Sequence, residues 1–274
     1  MTVSDALRAF AEDADAHIRA VPHIAPHIRD SRFVVMMSPS PAQSVTSRVR
    51  TTAAELDDTI ADVRAALRAF GFRSNVWHVG PSSRPEGLAA LLRARGFIPA
   101  VHPPYEPTMT AMALGAPPPV KPDAAIEARI ARSLDEYVAG LEIAFEAFDT
   151  SADERADWMA AAPRVWASQD GEDRFTHVVY LEGQPAGVGF SACGSTGILM
   201  GGAGVLPAAR GRGVYRALLA ARWAEVERLG KEGLVIQAGA MSRPILERCG
   251  FQIVCTLQLF EDAGLHAGPD PRIG

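Results

Sequence analysis

The 274-residue sequence is poor in cysteine: Cys193, Cys249 and Cys255 are an odd and small set for this length. That argues against a secreted disulfide framework and fits a reducing compartment. It has almost no lysine, since Lys121 and Lys231 are the only two among 27 basic side chains, and 32 acidic ones bring the net charge to -5. No cation excess is available to neutralise a phosphate backbone, so no nucleic acid is expected as a partner. Acidic residues stand in 1–15 where a secretory signal would need a basic head and an apolar segment. The uncharged stretch 196–209 holds four glycines and a proline and makes a poor membrane span. The expected protein is soluble and cytoplasmic, with no membrane partner. What is abundant is apolar material, 48% of residues, enough for about two compact domains of roughly 100–200 residues each.

The sharpest break in composition is Pro117-Pro118-Pro119-Val120-Lys121-Pro122, which excludes helix and favours an extended spacer. It divides the chain into a domain at 1–116, a spacer at 117–123, a second domain at 124–262 and a tail at 263–274. Ahead of the spacer, the patterns predict a helix at 4–19, a strand at 32–37 and a helix at 52–70 with Leu56, Ile60, Val63, Leu67 and Phe70 on one stripe. A strand at 74–79, a helix at 85–95 and strands at 97–101 and 108–114 follow. Behind it come a strand at 125–132 and helices at 134–148 and 152–167, the second capped by Ser151 with Glu154 three residues on. A hairpin of 174–181 and 185–192 turns at Glu182-Gly183-Gln184, and a third strand covers 198–206. A helix at 211–229, a strand at 233–237, a helix at 242–249 and a strand at 251–260 complete the domain. The halves resemble each other where Leu91-Leu92-Arg93-Ala94-Arg95-Gly96-Phe97 lies over Ile245-Leu246-Glu247-Arg248-Cys249-Gly250-Phe251. Both carry an apolar pair and a Gly-Phe helix stop.

Chemistry points to one turn. A strand ends at Val205-Leu206-Pro207, and Arg210-Gly211-Arg212-Gly213-Val214-Tyr215 leads into a helix. Backbone N–H groups at a helix start lack internal partners and sit at the positive end of the dipole, so they can hold a phosphate. Gly211 and Gly213 let the backbone come close, and Arg210 and Arg212 add charge. No lysine completes a nucleotide P-loop, and Arg216 stands where a dinucleotide fingerprint needs its third glycine.

The strand, the turn and the downstream Leu246-Glu247-Arg248-Cys249-Gly250-Phe251 together resemble the GNAT superfamily of acyl-CoA-dependent N-acyltransferases, strongly over 125–260 and weakly before it. The resemblance implies an α/β (α+β) fold of two GNAT-like domains in tandem. Each would have a mixed, mainly antiparallel central sheet flanked by helices, with the N-terminal copy incomplete. It implies acetyl-CoA as acyl donor, its pantetheine along Ala203, Gly204, Val205 and Leu206 and its pyrophosphate on Arg210, Gly211, Arg212, Gly213, Val214, Tyr215 and Arg216. A small amine acceptor, no metal, and a monomer or homodimer are expected. In the N-terminal copy the equivalent turn is read as Ser38-Pro39-Ser40-Pro41-Ala42-Gln43, where two prolines remove donors, so no cofactor is expected there.

Three positions depart from the family pattern. Tyr215 holds the turn's last Gly/Ala position and either stacks on the cofactor or packs inward. Leu246 stands where many members carry a tyrosine general acid, and Gly239 where an asparagine is common. Strand 198–206 offers no carboxylate or histidine as base. Ser242 is the catalytic candidate, the hydroxyl at the start of helix 242–249, with helix capping as its structural alternative. Glu142, Glu146 and Asp149, with Asp153, are either acceptor-facing acids or solvated helix charges. Cys193 reads as a small buried residue rather than a nucleophile. His17, His23 and His27 with Asp13 and Asp30 do not read as a metal site, because Pro22 and Pro26 break any helix between them. The resulting reading is direct transfer of an acetyl group to an amine in the C-terminal domain. The alternative is a non-catalytic acyl-CoA-binding or scaffolding protein.

Overall fold

The computed structural model describes residues 3–21, 26–101, 105–121, 123 and 125–266. Pro122 and Ala124 at the expected boundary, His23 of the discarded metal cluster and the tail beyond 266 lie outside them. In chain order the elements are α1 (Asp5–Glu12), α2 (Ala14–His17), β1 (His27–Arg29), β2 (Val34–Met37), β3 (Ser44–Ser47), α3 (Leu56–Ala69), β4 (Val76–Val79), α4 (Leu88–Arg93), β5 (Ile98–Pro99) and β6 (Thr108–Leu114). They continue with β7 (Ile126–Ile130), α5 (Leu134–Phe148), α6 (Ala152–Ala167), β8 (Arg174–Leu181), β9 (Gln184–Cys193), β10 (Gly197–Val205), α7 (Val214–Arg228), β11 (Gly233–Ala238), α8 (Arg243–Arg248), β12 (Gln252–Glu261) and α9 (Ala263–His266). The expected mixed α/β class, with mostly antiparallel sheet and flanking helices, is what forms. Among the described residues no helix is long and apolar enough to cross a membrane.

The chain forms two compact units, Met1–Arg19 with Ala111–Val254, and Ala20–Thr110 with Cys255–Gly274. They differ from the linear division at 117–123. The first helix belongs with the C-terminal half of the sequence, and most of β12 belongs with the N-terminal half. The proline segment joins β6 to β7 inside the first unit, where Pro119 lies against Gly250.

In the first unit the strands run β6-β11-β10-β9-β8-β7; β7 to β10 are antiparallel and β10-β11 is parallel. The β8-β9 hairpin turns on Glu182 (φ 54°) and Gly183 (φ 77°), the pair of left-handed residues that suits strand twist. Opposite faces of β9 take opposite helices. Val188 packs on Gly140 of α5, while Gly187 and Gly189 leave room for Val214 and Arg222 of α7. Ser133 and Ser151 cap α5 and α6 by accepting the N–H of Glu136 and Glu154, the second as the spacing predicts.

Helix 4–19 is interrupted at Asp13 (φ -109°, ψ 50°), which separates α1 from α2. On α1, Leu7, Phe10 and Ala11 form the buried i, i+3, i+4 face. That face lies on glycines: a Cβ on Gly197 would meet Leu7 at 2.7 Å and one on Gly194 would meet Phe10 at 2.9 Å. On Gly233 it would lie 2.1 Å from the Leu114 carbonyl oxygen. On α2, burial pushes the Asp15 carboxyl up from 3.8 to about 6, Arg174 offsetting part of this and Asp13 adding to it. A carboxyl whose pKa is raised by folding binds its proton more tightly in the native state, so its contribution to stability falls as pH rises through that window. A shift of this size corresponds to about 3 kcal/mol. Asp15→Asn should therefore gain about 2–3 kcal/mol relative to wild type between about pH 4 and pH 7, measured by urea unfolding. A difference that stays constant with pH would remove Asp15 as its source.

The second unit has the order β1-β2-β3-β4-β12 with β5 beside β12, antiparallel except for β3-β4. Leu56, Ile60, Val63 and Leu67 of α3 are buried with Trp77, Leu92, Phe97 and Phe260. Phe70, expected on that stripe, is past the helix end and exposed. Strands β1 and β3 were not anticipated. In the polar Ser-Val-Thr-Ser of β3, two of the three buried hydroxyls are answered: Thr46 Oγ1 donates to Asn75 Oδ1 at 2.9 Å, and Asn75 Nδ2 donates to Ser44 Oγ at 3.0 Å, while Ser47 Oγ meets no partner among the described residues. This strand corrects the equivalent turn in the N-terminal half. Residues 38–43 join β2 to β3 in a hairpin, and the strand-to-helix connection is 48–55. There Thr52 and Glu55 each accept the other's backbone N–H at 3.3 Å in the turn before α3, whose N-cap Glu55 makes no side-chain cap of its own.

The two Gly-Phe stops are built alike. The N–H of Phe97 bonds to the Leu92 carbonyl at 3.2 Å and that of Phe251 to the Leu246 carbonyl at 3.1 Å, with Gly96 and Gly250 left-handed between.

Candidate functional site

The site starts from a defect in the sheet. Met200 of β10 pairs with Ser191 and Ala203 with Gly189, so Gly201 and Gly202 together oppose Phe190 in a bulge. On its other side β10 pairs with β11 only where Gly197, Ile198 and Leu199 face Gly233, Leu234 and Val235. Beyond these positions the two parallel strands have no shared register. The later part of β10, including Ala203, Gly204 and Val205, thus has an open backbone edge to which an extended ligand can add as a strand. Helix α5 covers one face of this stretch. A Cβ on Gly204 would meet Ala147 at 2.9 Å, and one on Gly202 would meet the Phe148 ring at 3.4 Å.

From Leu206 the chain makes a short 3-10 turn at Pro207–Ala209 and enters α7. The helix begins at Val214 rather than at 211, because Gly211 (φ 76°) and Gly213 (φ 92°) are left-handed. Gly213 takes the cap position and so provides no side chain to bond the first helical donors. Among the described residues, the N–H groups of Gly211, Gly213, Val214, Tyr215 and Arg216 meet no acceptor. Arg210 and Arg216 are exposed, and Arg212 is paired with Glu182. The open strand edge and the unanswered donors are consecutive in sequence, so a ligand with an extended polar chain and a phosphate end could span both.

The other sequence candidates fall into place around this line. Tyr215 packs inward, half-buried among Leu219, Val226 and Leu246, and burial raises its hydroxyl pKa. Leu246 is fully buried in the same cluster and is a core residue, as Leu92 is in the other unit. Ser242 is half-buried at the start of α8 and makes no side-chain cap; its Oγ donates to the Gly239 carbonyl at 3.2 Å. The capping alternative is therefore corrected. Glu142, Glu146, Asp149 and Asp153 are all exposed. Cys193 is buried, and burial pushes its thiol up to about 11, the opposite of what a nucleophile needs. No group of three or more His, Cys, Asp or Glu that could hold a metal occurs among the described residues.

Sequence reasoning missed Arg222. It lies in the middle of the buried stripe Val214, Leu218, Arg222 and Val226, a position where periodicity predicts an apolar residue. A signal was present: two glycines in alternate places, Gly187 and Gly189, mark a sheet face that yields space to a bulky neighbour.

No protein-family model and no curated protein matches the chain. Solved structures do. A GCN5-related N-acetyltransferase from Kribbella flavida superposes with TM-score 0.70 at 17% identity, over 94% of this chain and 96% of its own. A tandem GNAT protein from the clavulanic acid biosynthesis pathway gives 0.60 at 16% identity, over 96% and 94%. A GCN5-related N-acetyltransferase from Sphaerobacter thermophilus gives 0.56 at 21% identity, over 84% and 76%. Superposition over nearly the whole of this chain and of its structural neighbours shows that the chain has the GNAT fold.

Proposed function

We propose that the chain is an acyl-CoA-dependent N-acyltransferase that moves an acetyl group to a small amine, with the chemistry in the unit that carries β10 and α7. The observation that supports it best is the continuous path from the open edge of β10 to the unanswered N–H groups at 211 and 213–216. Acetyl-CoA would lay its pantetheine along Ala203 to Leu206 and its pyrophosphate on Arg210 to Arg216. The amine nitrogen attacks the thioester carbonyl carbon, the C–S bond breaks, and the sulfur leaves as thiolate. Ser242 is the hydroxyl we assign to relay a proton to that thiolate, turning from the Gly239 carbonyl and taking a proton from water as it gives its own, so that no alkoxide is left. The proton lost by the amine goes to water or to Glu142, Glu146 or Asp149 on α5, which also draw a cationic acceptor. Segments 1–116 and 124–262 are, in this reading, two copies of one fold, the first shortened.

A panel of small amines with acetyl-CoA, read by release of free CoA thiol, tests the activity. The burial of Leu246 and the absence of any carboxylate or histidine from β10 favour the second reading, a non-catalytic acyl-CoA-binding protein. Tight binding with no thiol released from any amine would establish it. Ser242→Ala is expected to lower turnover at least about tenfold. Because the hydroxyl caps no N–H, its loss should cost stability only the one bond to Gly239, about 1 kcal/mol. Turnover within about twofold of wild type would remove Ser242 from the mechanism.

A further inference from the structure

Arg222 is 1% exposed, and its guanidinium lies in the interior of the first unit without a carboxylate partner among the described residues. Its Nη2 donates to the Phe190 carbonyl at 2.7 Å, and its Nε meets no acceptor. It occupies the space above Gly189, where a Cβ would come within 2.5 Å of Nη2 and 2.7 Å of Cζ. The nearby His177 and Ser191, on the same face of the sheet, also leave Nδ1 and Oγ without partners. Burial and the adjacent guanidinium push the imidazole of His177 down to about 3, so it is neutral and adds no second charge. Burial lowers Arg222 itself only to about 10, which leaves it charged at neutral pH.

An uncompensated charge in a core is unfavourable, and an apolar residue would fill the space at no such cost. What an apolar residue cannot do is bond the Phe190 carbonyl. Phe190 is the single residue opposite Gly201 and Gly202, and its carbonyl oxygen lies 3.3 Å from where a Gly201 Cβ would be. The guanidinium is thus attached to the strand at the point where β10 bulges, just after β10 and β11 stop pairing.

We propose that Arg222 is a positioning residue: by holding the Phe190 carbonyl it keeps the bulge at Gly201 and Gly202 and so sets where the acyl end of the donor lies on β10. This rests on the acyl-CoA reading above. Its effect belongs to the strand segment and not to the phosphate turn, which separates it from a general loss of structure.

The test uses the full chain and two ligands measured by calorimetry. Acetyl-CoA reports on strand and turn together, and adenosine 3′,5′-bisphosphate on the turn alone. Arg222→Met should weaken acetyl-CoA at least about tenfold while leaving the bisphosphate within about twofold. Arg222→Gln, which retains a planar N–H donor without the charge, should recover much of the loss. If the Met variant does not fold, Gly189→Ala serves instead, because its Cβ displaces the guanidinium with Arg222 still present, and the same split is expected. Equal losses for both ligands, or no loss for either, would overturn the assignment. Wild-type protein that binds neither ligand would overturn the acyl-CoA reading itself and this role with it.

Discussion

Gly213→Asp should weaken acetyl-CoA binding by at least about 3 kcal/mol, roughly a hundredfold or more, in a protein that remains folded. The position combines two constraints. At φ 92° it takes a backbone conformation that side chains rarely adopt, and an added Cβ would lie 3.2 Å from Ile126 Cδ1. A carboxylate there would also stand at the start of α7, beside the unanswered N–H groups that the proposal assigns to the pyrophosphate. Gly213→Ala separates the two effects, since it carries the backbone strain without the charge. Calorimetry on both variants should show most of the loss in the Asp protein alone. Unchanged affinity in a folded Gly213→Asp protein would mean that the turn is only a turn.

A fragment beginning at Val120 should fail to fold. It lacks α1, whose Leu7 and Phe10 are 1% and 0% exposed and cover Gly194, Gly197 and Gly233. It also lacks β6, the neighbour of β11, and so leaves that strand with an open edge. Truncating a buried Leu or Phe to Ala alone costs about 2–5 kcal/mol, and a domain has only about 5–15 kcal/mol in all. The fragment meanwhile keeps 255–261, a strand that belongs to the other compact unit. Far-UV circular dichroism and a thermal melt decide the matter. A soluble fragment with a cooperative transition and the acetyl-CoA affinity of the whole chain would overturn the expectation.

Much of the first unit was legible because its signals are local. Ser151, just ahead of α6 with Glu154 three residues on, announces its helix, Glu182-Gly183 sets the hairpin, and Gly211 and Gly213 mark a turn with bare donors wherever it lies in space. Capping and left-handed backbone depend on neighbours within about five residues, so the sequence by itself determined these elements and the bare backbone donors of the turn. Tertiary structure decided what depends on distant partners. Ser44 and Thr46 form a buried strand only because Asn75 and Ser74 answer their hydroxyls. Leu246 is a core residue because the helix stop after it turns it inward, whatever chemistry its position has elsewhere. Arg222 was invisible as a site residue because nothing in its own helix explains a buried charge. Only the Phe190 carbonyl, 32 residues away across the sheet, does. The make-up of the two units and the parting of β10 from β11 belong to the same class. Strand pairing and close packing on glycine join residues far apart in sequence, and no local period encodes which of them meet.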